Sequence, residues 1–175
     1  MSFEFKNNVL HCENASVAEI ATKVQTPFYL YSTAKFQENF NALKSSFADY
    51  NFSGSPVNIC FAVKSNSNIS VLKLLQKLGS GADTVSEGEI RRALMAGIDP
   101  AKIIFSGVGK TAEEISFALE NNIGQINVES SEELQLINEV AENKGIKAKV
   151  SVRINPDVDA KTLDKISTGR KTDKF

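Results

Sequence analysis

The central part of the chain repeats one unit, in which a short aliphatic segment is followed by a polar loop and a segment with helical spacing. Short runs of β-branched or alternating apolar residues are typical of strands, and apolar residues three and four positions apart are typical of helices. Strands are predicted at 57–64, 82–85, 103–105, 126–128 and 148–154. They begin about 21 to 25 residues apart, the length of one strand, loop and helix in a parallel α/β fold. The repeat therefore predicts parallel strands joined by helical crossovers.

The predicted helices share a local signal at their starts. A Ser or Thr followed three residues later by Glu has the spacing of a capping box, in which the two side chains bond free N–H groups of the first helical turn. The pairs are Ser86–Glu89, Thr111–Glu114 and Ser130–Glu133. Each pair closely follows a predicted strand, so the three pairs predict where three crossover helices begin.

The faces of the predicted strands distinguish between the two folds that this repeat permits. In the first strand, apolar residues alternate with small or polar ones: Val57, Ile59, Phe61 and Val63 against Asn58, Cys60, Ala62 and Lys64. A doubly wound sheet has helices on both faces, and its central strands are apolar all round. One apolar face and one small or polar face instead suit a (β/α)8 barrel. We therefore predict a partial barrel with about five of its eight strands, truncated before it closes, and hence the front part of a longer protein.

Composition and charge exclude several classes of function. The chain has 175 residues, of which 42% are hydrophobic and 23% charged, as in ordinary globular domains. Its net charge of −1 offers no basic surface for nucleic acid or an anionic membrane, and no apolar run reaches the roughly 18 residues of a membrane span. The two cysteines, Cys12 and Cys60, and the single histidine predict neither a disulfide framework nor a metal site. We expect a cytoplasmic protein that binds neither nucleic acid nor membranes.

Two segments at strand ends are candidates for chemistry. Lys64 stands where the first predicted strand gives way to a polar loop, and α/β folds collect their functional groups at the carboxyl ends of strands. Gly107-Val108-Gly109-Lys110-Thr111 opens a helix after a strand, as a phosphate-binding loop does. That motif requires a glycine five residues before Gly109, where the chain has Ile104. The loop is also too short to wrap a phosphate, so we reject a nucleotide-binding role.

Several segments together resemble one known family. Phe61-Ala62-Val63-Lys64-Ser65-Asn66 is similar to the cofactor-lysine segment of the fold type III pyridoxal phosphate decarboxylases, usually written YAVKAN. The similarity continues at 81–89, 104–111, 126–130 and 152–160. Ile166-Ser167-Thr168-Gly169, followed by Lys174-Phe175, resembles the segment that enters the sixth strand in the diaminopimelate decarboxylases. The resemblance extends from Thr26 to Phe175.

This resemblance implies a barrel of the alanine racemase and pyridoxal-decarboxylase type, with pyridoxal 5'-phosphate as cofactor. It implies that Lys64 bonds covalently to the cofactor aldehyde, that Asp83 lies near that bond, and that Arg153 projects into the barrel mouth beside the cofactor. Lys110 is a weaker candidate. A lysine that bonds reversibly to an aldehyde, and a cofactor that takes up the electron pair left by carbon dioxide, are what such a decarboxylation requires.

The implied reaction removes the carboxylate from the D-configured carbon of meso-2,6-diaminopimelate and yields L-lysine and carbon dioxide in bacterial lysine synthesis. In the implied domain organisation, residues 1–31 pack with a β-rich second domain and residues 32–175 form the first part of the barrel. In relatives, the histidine that stacks on the cofactor ring, the glycine-rich phosphate loops, and a cysteine and a tyrosine from the second domain all follow the matched region. A homodimer is expected for the full-length protein. Two alternatives remain open, namely another decarboxylase of basic amino acids with this fold, and a non-catalytic fragment or cofactor-binding remnant.

Overall fold

The structure is a computed structural model that describes residues 2–49, 51–52, 55–159, 161–163 and 167–170. Ile166, Lys174 and Phe175 of the last matched motif lie outside these residues. The chain forms two compact units, Met1–Ile59 with Lys77–Gly79, and Cys60–Gln76 with Ser80–Phe175. The division expected after residue 31, between a second-domain segment and the barrel, stays a prediction. Among the described residues, no helix is both long and apolar enough to cross a membrane.

The first unit begins with a small antiparallel sheet. Its strands are β1 (Phe3–Lys6), β2 (Val9–Cys12) and β3 (Ala15–Ser16), in the order β1-β2-β3. Asn7 and Asn8 join β1 to β2, and both have positive φ, a conformation that a tight hairpin turn requires and that asparagine tolerates well.

Two helices and a second strand pair follow in the same unit. They are α1 (Val17–Lys23), α2 (Thr33–Ser46), β4 (Asn51–Phe52) and β5 (Ser55–Pro56). The hydroxyls of Ser16 and Ser32 cap α1 and α2 by accepting a backbone N–H of the first helical turn. Glu13 fixes the start of α2, because its Oε1 accepts hydrogen bonds from the Ser32 hydroxyl at 2.7 Å and the Ala34 N–H at 2.9 Å.

The second unit alternates strands and helices. Its elements are β6 (Cys60–Ala62), α3 (Ile69–Leu78), β7 (Gly81–Thr84), α4 (Glu87–Met95), β8 (Ile103–Phe105), α5 (Ala112–Glu120), β9 (Gln125–Val128), α6 (Ser131–Lys144) and β10 (Val150–Val152). Short 3-10 helices lie at Val63–Ser65 and Pro100–Lys102, and the last two residues of α3 group with the first unit.

The strands of the second unit form one parallel sheet in unbroken chain order, β10-β9-β8-β7-β6. A doubly wound sheet would reverse its strand order at a switch point, whereas consecutive parallel strands joined by helices are the arrangement of a (β/α)8 barrel. The predicted fold class, a partial barrel with about five strands, is therefore confirmed.

The two faces of this sheet differ in the way that the alternation predicts. One face packs against the helices, and its side chains are at most 2% exposed: Ala82, Ile103, Phe105, Ile126 and Val128. Each large apolar side chain buried here stabilises the fold by about 1.5–3 kcal/mol. The other face carries small or polar side chains, including Ala62, Asp83, Gln125 and Asn127, together with Ile104. The core therefore lies between sheet and helices and leaves the polar face for chemistry.

The predicted helix starts are the observed ones. Ser86, Thr111 and Ser130 are the N-cap residues of α4, α5 and α6. The pair Thr111–Glu114 forms a complete capping box, in which the Glu114 carboxylate accepts the Thr111 N–H at 3.1 Å. The Glu89 and Glu133 carboxylates each bond the N–H of the residue before the cap instead. One local signal therefore led to two different side-chain arrangements.

The first and fifth predicted strands are shorter than expected. Instead of 57–64, β6 covers only Cys60–Ala62, and Lys64 lies in the 3-10 turn that follows. The chain leaves the sheet here because its polar groups bond carbonyls nearby in sequence instead of a neighbouring strand. The Asn66 N–H donates to the Val63 carbonyl at 3.0 Å, and the Ser65 hydroxyl donates to the Ala62 carbonyl at 2.7 Å. β10 likewise covers Val150–Val152 rather than 148–154, since its partner β9 ends at Val128.

Candidate functional site

Lys64 lies at the carboxyl end of β6, in the 3-10 turn Val63–Ser65. Its neighbour Val63 is fully buried in the core, whereas Lys64 is exposed. Val63 therefore anchors the turn and leaves the lysine on the polar side. Among the residues that the structure describes, none accepts a hydrogen bond from the Lys64 amine, so the amine is available to a ligand.

Asp83 belongs to β7, and a chain of side-chain hydrogen bonds holds its carboxylate. The Ser106 hydroxyl donates to Asp83 Oδ1 at 2.5 Å, and the Asn127 amide donates to the Ser106 oxygen at 2.9 Å. The Gln125 amide donates in turn to Asn127 Oδ1 at 2.8 Å. Three neighbouring strands thus contribute to fixing one carboxylate, and hydrogen bonds of this kind restrict the orientations it can adopt.

Arg153 follows β10 directly, and its backbone N–H closes the ladder on the Val128 carbonyl at 2.9 Å. Its Nη1 lies 3.3 Å from both carboxylate oxygens of Glu129, whose side chain is only 7% exposed. The Arg153 side chain is 38% exposed. A guanidinium paired with a buried carboxylate keeps a defined orientation, and its charge acts on the space beside it.

The three residues predicted to form the site line one cavity of about 410 Å³ at the carboxyl ends of the strands. Its other lining residues are Val85, Ser106, Gly107 and Val108. This volume lies within the usual range for small-molecule and cofactor sites, about 300–1,000 Å³. An amine, a carboxylate and a guanidinium around one cavity suit a ligand with an aldehyde, a polar ring and an anionic group, so the residues present fit pyridoxal phosphate.

Comparison with known families agrees with this chemistry. The family described as "Pyridoxal-dependent decarboxylase, pyridoxal binding domain" matches residues 33–175. The chain belongs to this family. The predicted family and the predicted cofactor, pyridoxal 5'-phosphate, are confirmed.

Individual relatives of this pyridoxal-binding domain are diaminopimelate decarboxylases. The chain is 47% identical to the diaminopimelate decarboxylase of Pseudomonas aeruginosa, over 99% of its own length and 41% of the relative's. The crystal structure of diaminopimelate decarboxylase from M. jannaschii matches 99% of the chain and 40% of that protein, with a TM-score of 0.91 and 40% identity. The Helicobacter pylori enzyme, solved with L-lysine, matches 90% of the chain and 39% of that protein, with a TM-score of 0.81 and 51% identity. The chain thus spans about two fifths of the length of the relatives it matches.

Lys110, the weaker candidate, does not line the cavity of this pyridoxal-binding domain. Its side chain is 2% exposed, and its ammonium donates to the Gly107 carbonyl at 2.5 Å, the Asn127 carbonyl at 2.7 Å and Glu133 Oε1 at 2.6 Å. These three acceptors use all three N–H groups of the ammonium. Lys110 is therefore not oriented to bind a phosphate as the lysine of a phosphate-binding loop would, which agrees with the rejection of that motif.

The structure also reveals residues around the cavity that the sequence analysis did not single out. Ser106 bonds Asp83, Asn127 bonds Ser106, and Glu129 pairs with Arg153. A signal existed for Asn127 and Glu129, which continue the polar alternation of β9, whereas β8 is apolar throughout and gives no such signal for Ser106. That signal shows which face a residue lies on but not which side chains meet across strands.

Cys60 lies on the same sheet but at the amino end of β6, away from the carboxyl-end cavity. Burial, with a smaller contribution from the nearby Asp83 charge, raises the pKa of its thiol. Its sulfur lies 3.7 Å from the Lys102 carbonyl oxygen. A thiol that resists ionisation is a poor nucleophile, so Cys60 is a packing residue in this domain.

Proposed function

We propose that this chain is the pyridoxal-binding part of a diaminopimelate decarboxylase, which converts meso-2,6-diaminopimelate to L-lysine and carbon dioxide. The observation that carries the proposal is the convergence of Lys64, Asp83 and Arg153 on one cavity at the carboxyl ends of the strands. The curated relatives, of which the chain spans about two fifths, support the choice of substrate, as does the Helicobacter pylori relative that was solved with L-lysine.

Each residue has a role that follows from its position. The exposed amine of Lys64 would hold the cofactor covalently at its aldehyde and would release it when a substrate amine takes its place. The bound cofactor supplies an electron sink for the pair left behind when carbon dioxide departs. Asp83, fixed by Ser106, places its carboxylate at the cavity wall where a protonated nitrogen can donate to it. Arg153, held by Glu129, provides a cation for a phosphate or carboxylate group.

The proposal also includes the setting in which the enzyme works. A cytoplasmic location is supported by the free thiols of Cys12 and Cys60, which are typical of reducing compartments. A homodimer of the full-length protein is supported by the family resemblance. Sedimentation of the purified full-length protein, and its detection in fractionated cells, would test these two points.

The covalent role of Lys64 is tested in the full-length protein that carries this chain. Borohydride treatment of the cofactor-loaded protein, followed by peptide mass spectrometry, should place the reduced cofactor on Lys64. Lys64→Ala should abolish this label and lower activity by at least about 10²-fold, because proton transfer by a positioned side chain alone is worth about 10²–10⁴-fold. Lys73→Ala, at an exposed position of α3, is the matched control and should keep both the label on Lys64 and the activity. A label that persists in the Lys64 variant refutes the role.

The reaction is tested by measuring carbon dioxide release from meso-diaminopimelate, L-lysine, L-ornithine and L-arginine in parallel. We expect turnover of meso-diaminopimelate, with L-lysine as product. Release from one of the other three instead identifies the alternative, a decarboxylase of another basic amino acid. Cofactor binding without release from any of the four identifies a non-catalytic cofactor-binding protein.

A further inference from the structure

A buried ion pair next to the cavity has no part in the proposed chemistry. The side chains of Lys110 and Glu133 are 2% and 8% exposed, and Nζ lies 2.6 Å from Oε1. The Lys110 ammonium also bonds the carbonyls of Gly107 and Asn127 and lies 5.4 Å from the centre of the Phe105 ring. Complete hydrogen bonding of this kind is what a buried ammonium requires.

The pair connects the loop after β8, which lines the cavity, to the loop after β9, which carries the ion-pair partner of Arg153. Gly107, which bonds the Lys110 ammonium, lines the cavity in the loop after β8. In the loop after β9, the second Glu133 oxygen accepts the backbone N–H of Glu129 at 2.8 Å. Glu129 is the partner of Arg153, so the pair also acts on the position of the guanidinium. One buried contact therefore links Gly107, in the cavity wall, to Glu129, the residue that holds Arg153.

Stability alone is a weak explanation for this arrangement. Taking two charges out of water is costly, and well-packed apolar residues often replace a buried ion pair with no loss of stability. Position matters more here, since Gly107 has a φ of 95° and a Cβ built on it would lie 3.3 Å from the Cβ of Val85, another cavity residue. The Gly107 backbone thus packs closely against the cavity wall, in a conformation that glycine adopts readily and a residue with a Cβ would not.

We propose that Lys110 and Glu133 are positioning residues for the cofactor cavity. They hold the Gly107 loop and Glu129 in register, and through Glu129 they keep the Arg153 guanidinium directed at the ligand. The proposal rests on the proposed function, because it concerns the same cavity.

The test measures the affinity of the full-length protein for pyridoxal phosphate, by titrating the cofactor-free protein and following the absorption of the bound cofactor. Lys110→Met should weaken binding and shift the absorption. In metal sites, loss of a residue that holds the ligands in place lowers metal affinity by about 10- to 100-fold, and we expect Lys110→Met to lower cofactor affinity by about tenfold. Lys144→Met is the matched control, because Lys144 also forms an ion pair, with Glu120, but an exposed one that joins α6 to α5. Exposed ion pairs contribute little to stability, so the affinity of the Lys144→Met variant for pyridoxal phosphate should stay within about twofold of the wild type.

A double variant, Lys110→Met with Glu133→Leu, separates positioning from stability. It removes both charges, so its urea midpoint should recover relative to Lys110→Met alone, while cofactor affinity should stay low. Recovery of affinity together with stability overturns the proposal and makes the pair a purely structural contact. If the double variant does not fold, Glu133→Gln keeps the shape without the charge, and an affinity equal to that of the Lys144 control overturns the proposal.

Failure of this inference is distinguishable from failure of the proposed function. If the wild-type protein takes up no cofactor, the proposed function fails. If the wild type binds the cofactor and the Lys110 and Glu133 variants bind it equally well, only the positioning role fails.

Discussion

Gly124 lies immediately before β9, where two backbone segments approach unusually closely. Its N–H donates to the Pro100 carbonyl at 2.9 Å. A Cβ built on Gly124 would lie 2.1 Å from the carbonyl oxygen of Ala101 and 2.7 Å from its carbonyl carbon. These neighbours are backbone atoms, so no side chain can rotate away. Gly124→Ala therefore requires the two segments to separate by about 1 Å to reach van der Waals contact.

The expected cost follows from two opposing terms. Replacing glycine by alanine in a compatible conformation stabilises a protein by about 0.4–1 kcal/mol, by restricting the unfolded chain. Overpacking a well-packed site costs about 1–3 kcal/mol. Because the clash at Gly124 is with backbone on the neighbouring segment, we take the upper part of this range. The net loss in the free energy of unfolding should be about 2 kcal/mol.

Urea denaturation of the full-length protein measures this loss. A loss of about 2 kcal/mol lowers the urea midpoint by roughly 0.7–1 M when the slope is about 2–3 kcal/mol/M. Gly88→Ala is the matched control, since Gly88 lies in the first turn of α4 and an added Cβ would meet only the Ser86 hydroxyl, at 3.8 Å. That variant should be as stable as the wild type or more so.

Gly124 is also at the amino end of β9, opposite the cofactor cavity. Distant sites usually act independently to within about 0.5 kcal/mol, so Gly124→Ala should bind pyridoxal phosphate within about twofold of the wild type. A midpoint for Gly124→Ala equal to that for Gly88→Ala would refute the reasoning from close backbone approach.

Two further predictions concern the helix starts. Thr111→Ala removes the hydroxyl of the complete capping box of α5 and should lower the free energy of unfolding, measured by urea denaturation, by about 1 kcal/mol. Its control, Thr22→Ala at an exposed position in α1, should stay within about 0.5 kcal/mol of the wild type. Equal losses in the two variants would show that the capping box contributes nothing. Hydrogen bonds from the Ala34 N–H and the Ser32 hydroxyl lower the pKa of the Glu13 carboxyl below its ordinary value of 4.5. The charged carboxylate therefore contributes fully to stability at a pH above the pKa of the unfolded chain, and this contribution is lost as the pH falls through the pKa of the folded protein. The stability difference between wild type and Glu13→Gln, followed by thermal melting, should therefore shrink from about pH 5 to pH 3, and a difference that does not change with pH would contradict this.

The fold was predictable because its signals are local and repeated. Alternation along β9 shows which of its faces is apolar, and the buried side chains of Ile126 and Val128 lie on the face that it indicates. The Ser and Thr caps likewise lie where the three pairs placed them. The strand ends were less predictable. Val57–Lys64 alternates throughout, yet the chain leaves the sheet after Ala62, because the Ser65 hydroxyl and the Asn66 N–H bond backbone carbonyls nearby in sequence.

The position of the three candidate residues around one cavity was predictable to the extent that they share motifs or strand ends. Lys64, Asp83 and Arg153 come from three separate motifs, and a parallel sheet brings strand ends together whatever side chains they carry. Which neighbours hold them depends on distances across strands, which no single-strand pattern contains. The Ser106 bond to Asp83 and the Glu129 pair with Arg153 belong to this class.

Glu133 shows why such contacts cannot be read from a motif. Its spacing from Ser130 equals that of Glu114 from Thr111, and in both pairs the hydroxyl accepts the N–H of the glutamate. The Glu114 carboxylate accepts the N–H of its cap residue, whereas one oxygen of Glu133 accepts the Glu129 N–H and the other pairs with the buried ammonium of Lys110, 23 residues earlier in the chain. Glu89 also bonds the N–H of the residue before its cap but pairs with no buried ammonium among the described residues, so the same spacing leads to three different sets of partners. The motif therefore predicts where the helix begins, whereas the tertiary fold determines what its third residue binds.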